Sequence, residues 1–334
     1  MPTQEYLQAE RAQLWREELR KTLKNKERTN LVRVKMPEVD ATIRSRTYDE
    51  VNLGLTPEQA QAESQRCLDC VNPTCITGCP VEINIPKFIK NIERGEVLEA
   101  AKALKETSAL PAVCGRVCPQ ERQCESQCFY TLKLGKEPVA IGHLERFAAD
   151  FERKSGNISI PEIAPANGIK IAVVGSGPAG LAFAGDMIKL GYDVTVFEAL
   201  HELGGVLRYG IPEFRLPNDI VDIEIDVLKK MGVKFITNCI IGKTISQEEL
   251  KADGYRGIFI GSGAGLPNFM NIPGENLIGV MSCNEYLTRV NLMQAADPES
   301  DTPVQMGKKS PLSEEAIPRW MPYEQLAGWV RKKQ

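Results

Sequence analysis

The sequence predicts a multidomain protein of mixed class, α+β/α/β: a helical cysteine-rich domain followed by a parallel, Rossmann-like α/β unit. Three observations carry this. Eight of the ten cysteines fall between Cys67 and Cys128, in two runs that each contain a Cys-Pro pair. A glycine-rich turn, Gly175-Ser176-Gly177-Pro178-Ala179-Gly180, follows a short apolar stretch and opens a helical pattern. Between these regions, residues 157–168 hold two prolines, one glycine and two asparagines, which is the chemistry of a linker.

With 334 residues the chain has material for about two domains at roughly 150 residues each. Its 43% hydrophobic and 25% charged residues are those of an ordinary globular protein. A formal net charge of -3 argues against nucleic acid as a partner, since such proteins carry a basic excess or stripe. No uncharged apolar run reaches the roughly 18 to 20 residues needed for a membrane span. The N-terminus, with Glu5 and Glu10 and no apolar stretch, does not read as a secretory signal. A cytoplasmic location is therefore expected, where clustered cysteines are metal ligands or catalytic thiols more often than disulfides.

Taken in order, residues 1–35 hold nine Lys or Arg against five Glu, with no glycine and only Pro2. They read as one charged surface helix, a solvated or docking arm, because the acids are interleaved with the bases. The cysteine domain is expected over 36–156. Within it, Thr56-Pro57-Glu58-Gln59 supplies an N-cap, a first-turn proline and a capping-box Gln, starting a helix that leads towards Cys67. Phe88, Ile89, Ile92, Val97, Leu98 and Ala101 lie at helical spacing and predict a helix over 85–106, and a further helix is expected over 141–151. After the linker, strands over 169–174 and 193–198 flank a helix over 181–190 as a βαβ unit. Later strands are expected at 233–236 and 257–260, with the α/β domain covering 169–290 and an irregular tail covering 291–334.

The first cysteine run is Cys67-x2-Cys70-x4-Cys75-x3-Cys79-Pro80, and the second is Cys114-x3-Cys118-Pro119 followed by Cys124-x3-Cys128. Proline directly after a cysteine is a feature of the bacterial ferredoxin run, and iron–sulfur clusters need several soft thiolates gathered by short loops. Eight cysteines would satisfy two clusters. Structural zinc, which prefers paired C-x2-C knuckles, and disulfides or free thiols are the alternatives.

In the glycine turn, Gly175 allows the tight bend, Gly177 the approach of a pyrophosphate, and Gly180 close helix–strand packing. Phosphate then meets the free N–H groups of the helix start, including those near Pro178 and Ala179. Glu198, 23 residues after Gly175, ends the next strand where an acid binds ribose hydroxyls. Two further glycine-rich stretches follow, Gly204-Gly205 before Leu207-Arg208, and Gly263-Ala264 after the apolar run at 258–260. Several backbone approaches suit a ligand as large as FAD, although each stretch alone reads equally as a turn. His201 is read as a surface histidine, and Cys239 and Cys283 as buried apolar thiols.

The order of CLDCVNPTCITGCP, LPAVCGRVCPQERQC, VVGSGPAGLAFA, GGVLRYGIPEFRLP and GSGAGLPNFMNIPGE resembles the glutamate synthase small (beta) chain family over about residues 36–309. That family includes the large subunit of NADH-dependent ferredoxin:NADP oxidoreductase and the N-terminal part of dihydropyrimidine dehydrogenase. The resemblance implies two 4Fe-4S clusters in the helical domain, then FAD and NAD(P)H domains of the two-dinucleotide flavoprotein fold. It implies one cluster on Cys67, Cys70, Cys75 and Cys128, and another on Cys79, Cys118 and Cys124 with Glu145 as a fourth, non-cysteine ligand. Cys114 is left spare, so the count of eight thiolate ligands and the resemblance disagree. It further implies that NAD(P)H reduces FAD, which passes electrons through the clusters to a larger partner subunit. A ferredoxin:NADP oxidoreductase-type subunit, or an iron–sulfur docking subunit without a working FAD site, are the alternatives.

Members of the family continue beyond the position of Lys309 with a second dinucleotide turn. Here residues 310–334 contain three prolines and a single glycine, fewer residues than a βαβ unit of roughly 30 needs. The reading is therefore of an incomplete FAD domain and a missing NAD(P)H domain. Trp320, Tyr323, Leu326 and Trp329 predict a short amphipathic helix in the tail.

Overall fold

The computed structural model describes residues 3–302 except 296 and 298. The expected tail helix lies outside the described residues. The chain divides into two compact units, one formed by residues up to Glu38 with Asn52–Glu162, the other by Val39–Val51 with the residues from Ile163 onward. The segment Val39–Val51 was expected inside the cysteine domain. It joins the second unit instead, where Val51 N–H donates to the Phe214 carbonyl at 3.0 Å.

The first unit begins with α1 (Gln4–Arg11) and α2 (Leu14–Thr22), followed by a single turn at Asn25–Arg28. The single helix expected over 1–35 is thus corrected to two helices and a turn, and of the two roles expected for it the docking arm is the one that the packing matches. Gln13 sits in an extended conformation that separates α1 from α2. Arg16 and Arg28 are buried, because their guanidinium groups pair with Asp69 and Glu93. Next comes α3 (Pro57–Ser64), with the Thr56–Gln59 capping box that the spacing predicts. The helix expected over 85–106 is two helices, α4 (Ile85–Glu93) and α5 (Val97–Lys105). Gly95, at φ +88°, turns the chain between them in the left-handed region where a side chain is disfavoured.

Helices α6 (Pro111–Val117) and α7 (Ile141–Ser155) complete this unit, α7 ending at the left-handed Gly156. Its core joins Phe88, Ile89, Ile92, Leu104, Tyr130 and Leu144, with Cys67, Cys124 and Cys128 as members rather than surface residues. Helices α6 and α7 approach closely because Gly115 has no side chain. A Cβ there would stand 2.5 Å from the Arg146 backbone nitrogen.

The second unit holds β1 (Lys170–Val174), α8 (Pro178–Lys189), β2 (Asp193–Phe197), α9 (Asn218–Met231), β3 (Lys234–Ile236), α10 (Gln247–Ala252) and β4 (Tyr255–Ile260). The four strands are parallel in the order β3-β2-β1-β4, with Val173 beside Val196 on one side and Phe259 on the other. Parallel strands need crossovers, and α8 and α9 cover the sheet with Leu181, Ala184, Ile220, Val221 and Leu228 fully buried. Among the described residues no helix is long and apolar enough to cross a membrane.

Candidate functional site

In the first unit, Cys67, Cys70, Cys75 and Cys128 line one cavity together with Leu68, Ile85, Ile89, Tyr130, Val139 and Ile141. The first three lie on the loop and short turn after α3. Cys128 arrives from the second run, more than fifty residues later, just before the turn that buries Tyr130. The apolar wall has an electrostatic consequence. Burial, then the neighbouring Cys67 and Cys128 thiols, push the Cys70 thiol up to about 12. Burial and the same neighbours raise Cys75 well above the usual thiol range. Thiols this crowded and desolvated favour the protonated form until a cation draws them to thiolates, which is the behaviour of metal ligands rather than nucleophiles.

A second group forms where α6, the second run and α7 meet. Burial raises the Cys124 thiol, with the charges of Glu145, Glu125 and Cys79 adding to it. Burial likewise raises Cys79, with Glu145 and Cys118 as its charged neighbours. Glu145 is only 6% exposed on α7 and faces these thiols rather than solvent. Its helix is held in register by Gly142, where a Cβ would stand 2.0 Å from the Gln120 side chain, and Gln120 in turn donates to the Cys114 carbonyl at 3.2 Å. Cys118 follows α6 directly, and Cys114, one helical turn earlier, hydrogen-bonds to its sulfur and lowers its pKa.

Four thiols around one cavity are the soft donor set that iron–sulfur clusters take. All ten cysteines are free thiols, so no disulfide competes for them.

In the second unit the glycine-rich segments meet at the carboxyl ends of β1 and β4. Gly175 has φ +98°, and a Cβ on it would stand 2.5 Å from the Gly261 carbonyl oxygen. On Gly180 a Cβ would lie 1.9 Å from the Gly175 carbonyl oxygen, so α8 packs on the turn only because that side chain is missing. Gly205, at φ +54°, lies against Gly177, with a Cβ 2.7 Å from its Cα. Gly177 caps α8 and Pro178 and Ala179 begin it, leaving the first-turn N–H groups for a phosphate. Gly204 is also left-handed, at φ +115°, and Leu207 is buried beside it.

Glu198, expected to bind a ribose, is engaged here by the protein itself. Its carboxylate accepts from Ser176 N at 2.8 Å, Ser176 Oγ at 2.6 Å and Leu200 N at 2.9 Å, so it first holds the glycine turn in shape. A carboxylate offers about four acceptor positions, which leaves room for one further donor. Arg208 donates to the Leu203 carbonyl and pairs with Asp222. Gly263, Ala264 and His201 are exposed, and Cys239 is buried beneath the sheet with Ala172, Phe197 and Leu250. Cys283 is half-buried, and burial lifts its thiol to about 11.

Local pattern does not reveal that Glu63, Arg66, Asp69, Lys90 and Glu93, in the same unit as the cysteine cavity, are all buried. Asp69 and Arg66 adjoin cysteines in the chain. Nothing in the local pattern marks the other three as interior residues, because α3, with Glu63, and α4, with Lys90 and Glu93, carry charged residues at helical spacing as any surface helix does.

Comparison with known proteins places these two sites in a common setting. The family described as dihydropyrimidine dehydrogenase domain II, 4Fe-4S cluster, matches residues 44–157, and the pyridine nucleotide-disulphide oxidoreductase family matches residues 169–300. The glutamate synthase [NADPH] small chain of Halomonas elongata is 36% identical over 247 residues, 74% of this chain and 52% of that protein. Over the part it spans, the chain is similar to glutamate synthase small chains. The Escherichia coli small chain is 34% identical over 258 residues, 77% of this chain and 54% of its own length. The NAD-dependent dihydropyrimidine dehydrogenase subunit PreT of Escherichia coli is 40% identical over 226 residues, 66% of this chain and 54% of PreT. The chain thus spans about half the length of the curated relatives it matches. The matched iron–sulfur segment contains all eight clustered cysteines and Glu145, and the matched oxidoreductase segment contains every glycine of the dinucleotide turn.

Proposed function

We propose that this chain is an electron-transfer oxidoreductase subunit that holds FAD in the second unit and two 4Fe-4S clusters in the first. The observation that carries the reading is the meeting of Cys67, Cys70, Cys75 and Cys128, from two separate runs, around one apolar cavity. We assign these four to one cluster, and Cys79, Cys118, Cys124 and Glu145 to the other. FAD would lie on Gly175, Gly177, Pro178, Ala179 and Gly180, with Glu198 on the ribose, Gly204, Gly205, Leu207 and Arg208 along its length, and Gly263 and Ala264 at its far side.

The chemistry these bound groups supply is the conversion of a two-electron hydride transfer at flavin into single-electron transfer at iron–sulfur centres. The protein's own residues bind and orient. The N–H groups at the start of α8 receive phosphate, Ser176 and Glu198 fix the turn, and the apolar wall of the cysteine cavity excludes water. The larger small chains and PreT are named for NADPH- and NAD-dependent enzymes, so a pyridine nucleotide is the electron source that suits this chain, with a larger subunit as acceptor. Cysteines clustered as metal ligands suit a reducing cytoplasm.

Anaerobically purified protein tests the reading. Iron, sulfide and released FAD are expected together, at about eight iron atoms per chain for two 4Fe-4S clusters. Iron and sulfide without flavin would instead mark a docking subunit, and zinc alone would overturn both assignments.

A further inference from the structure

Residues 4–28 precede the segment matched by the iron–sulfur family, yet they are built into one of the two cysteine groups. Asp69, between Cys67 and Cys70, is fully buried and held at φ +52°, a conformation unfavourable for a residue with a side chain. Arg16 and Arg20 of α2 both pair with its carboxylate, and Arg11 Nε donates to its carbonyl at 2.7 Å. One residue pair further in, Glu93 is paired by Arg28 at 2.7 Å and by Lys90 at 2.5 Å. Lys90 Nζ also donates to the Cys67 carbonyl at 2.6 Å.

Each carboxylate therefore faces two cations, and each group of three keeps one positive charge in excess. A buried excess charge is costly unless an anion answers it. The adjoining cavity of Cys67, Cys70, Cys75 and Cys128 would supply that anion, because four thiolates give a 4Fe-4S centre a net negative charge that grows on reduction. The geometry points to the N-terminal arm, together with Lys90 of α4, as a positioning device that fixes the Cys67–Cys70 loop and raises the reduction potential of the cluster on Cys67, Cys70, Cys75 and Cys128. The inference rests on the iron–sulfur reading above and goes beyond it. Net charge around the cluster is one of the levers by which a protein sets cluster potential.

Redox titration of the full chain, followed by electron paramagnetic resonance, tests it. Arg20→Gln removes the less buried cation of the first group and leaves Arg16 balanced by Asp69. Lys90→Gln removes one of the two buried cations of the second, leaving Arg28 balanced by Glu93. Each should lower the equilibrium constant for one-electron reduction of one cluster about tenfold, equal to about 59 mV, while the other cluster keeps its potential. Arg20→Lys should retain the wild-type value. Unchanged potentials, equal shifts in both clusters, or a shift in Arg20→Lys as large as in Arg20→Gln would overturn the inference. Should Arg20→Gln fail to hold iron, Lys90→Gln gives the answer, and loss of iron from both would leave a purely structural role in place of tuning. A wild-type chain without iron and sulfide would instead refute the functional reading itself.

Discussion

The carboxylate of Glu63 accepts a hydrogen bond at 2.8 Å from the backbone nitrogen of Ala140, 77 residues away in the chain. Glu63 lies on α3, which leads into Cys67, and Ala140 caps α7, which carries Glu145. The same carboxylate accepts from Val34 N and pairs with Arg66, both at 2.7 Å, and is itself fully buried. One side chain thus joins the scaffolds of both cysteine groups.

Removing that charge should be severe. Glu63→Gln leaves Arg66 buried beside a neutral group, and breaking a buried pair costs about 3–5 kcal/mol. The expected outcome is a drop of this size in unfolding free energy by denaturant titration. A change below about 1 kcal/mol would mean that water reaches the pair.

Gly180→Ala places a methyl group against the Gly175 carbonyl oxygen, where a Cβ has only 1.9 Å. Backbone cannot yield as a flexible side chain does, so a loss of about 1–3 kcal/mol in stability is expected together with loss of bound flavin. Thermal unfolding and released-flavin analysis of the purified variant check the two effects separately. Retention of full flavin content would remove this turn from the FAD site.

Glu145→Ala should alter the resonance spectrum of one cluster and spare the other, since an oxygen ligand and a thiolate tune iron differently. Glu145→Cys, which offers sulfur from the same helical position, should yield a third spectrum. Identical spectra in all three chains would assign the fourth position to another residue, with Cys114, hydrogen-bonded to Cys118, as the first to substitute.

Cys70 provides a pH test on protein stripped of metal. Burial holds its thiol up to about 12, so at pH 8 only about one molecule in ten thousand carries the reactive thiolate. Alkylation of Cys70 should therefore be slow in the folded apo-chain and fast in denaturant, read by peptide mass. The linkage has a definite sign. The folded pKa lies above that of the unfolded thiol, about 8.5, so the folded apo-chain is favoured below that pH and loses this advantage as pH rises towards 12. A folded apo-chain that alkylates at the unfolded rate would place Cys70 outside the cavity.

Local pattern carried much of the architecture. The Thr56–Gln59 capping box, the strand before Gly175 and the glycine turn depend on neighbours within a few residues, and each appears where the spacing predicts. Helix α9 left the same kind of signal, with Ile220, Val221, Ile225 and Leu228 on one face, although it was not drawn from the sequence. The split between α4 and α5 at Gly95 was legible in principle from a single glycine. The N-terminal arm was not, because a row of arginines and glutamates looks the same whether it faces water or Asp69 and Glu93.

Residue type and short spacing therefore specified the kinds of chemistry available to this chain: soft thiolates for iron–sulfur centres and a glycine turn for a dinucleotide. Folding decided which groups meet. Cys128 reaches the cavity of Cys67 across some sixty residues, Glu145 turns inward, Glu198 is first engaged by Ser176, and Arg16 and Arg28 sink beside the cysteines. The reason is physical. A helix or turn is set by interactions between near neighbours, whereas burial of a charge is decided by whether a distant partner arrives to compensate its desolvation.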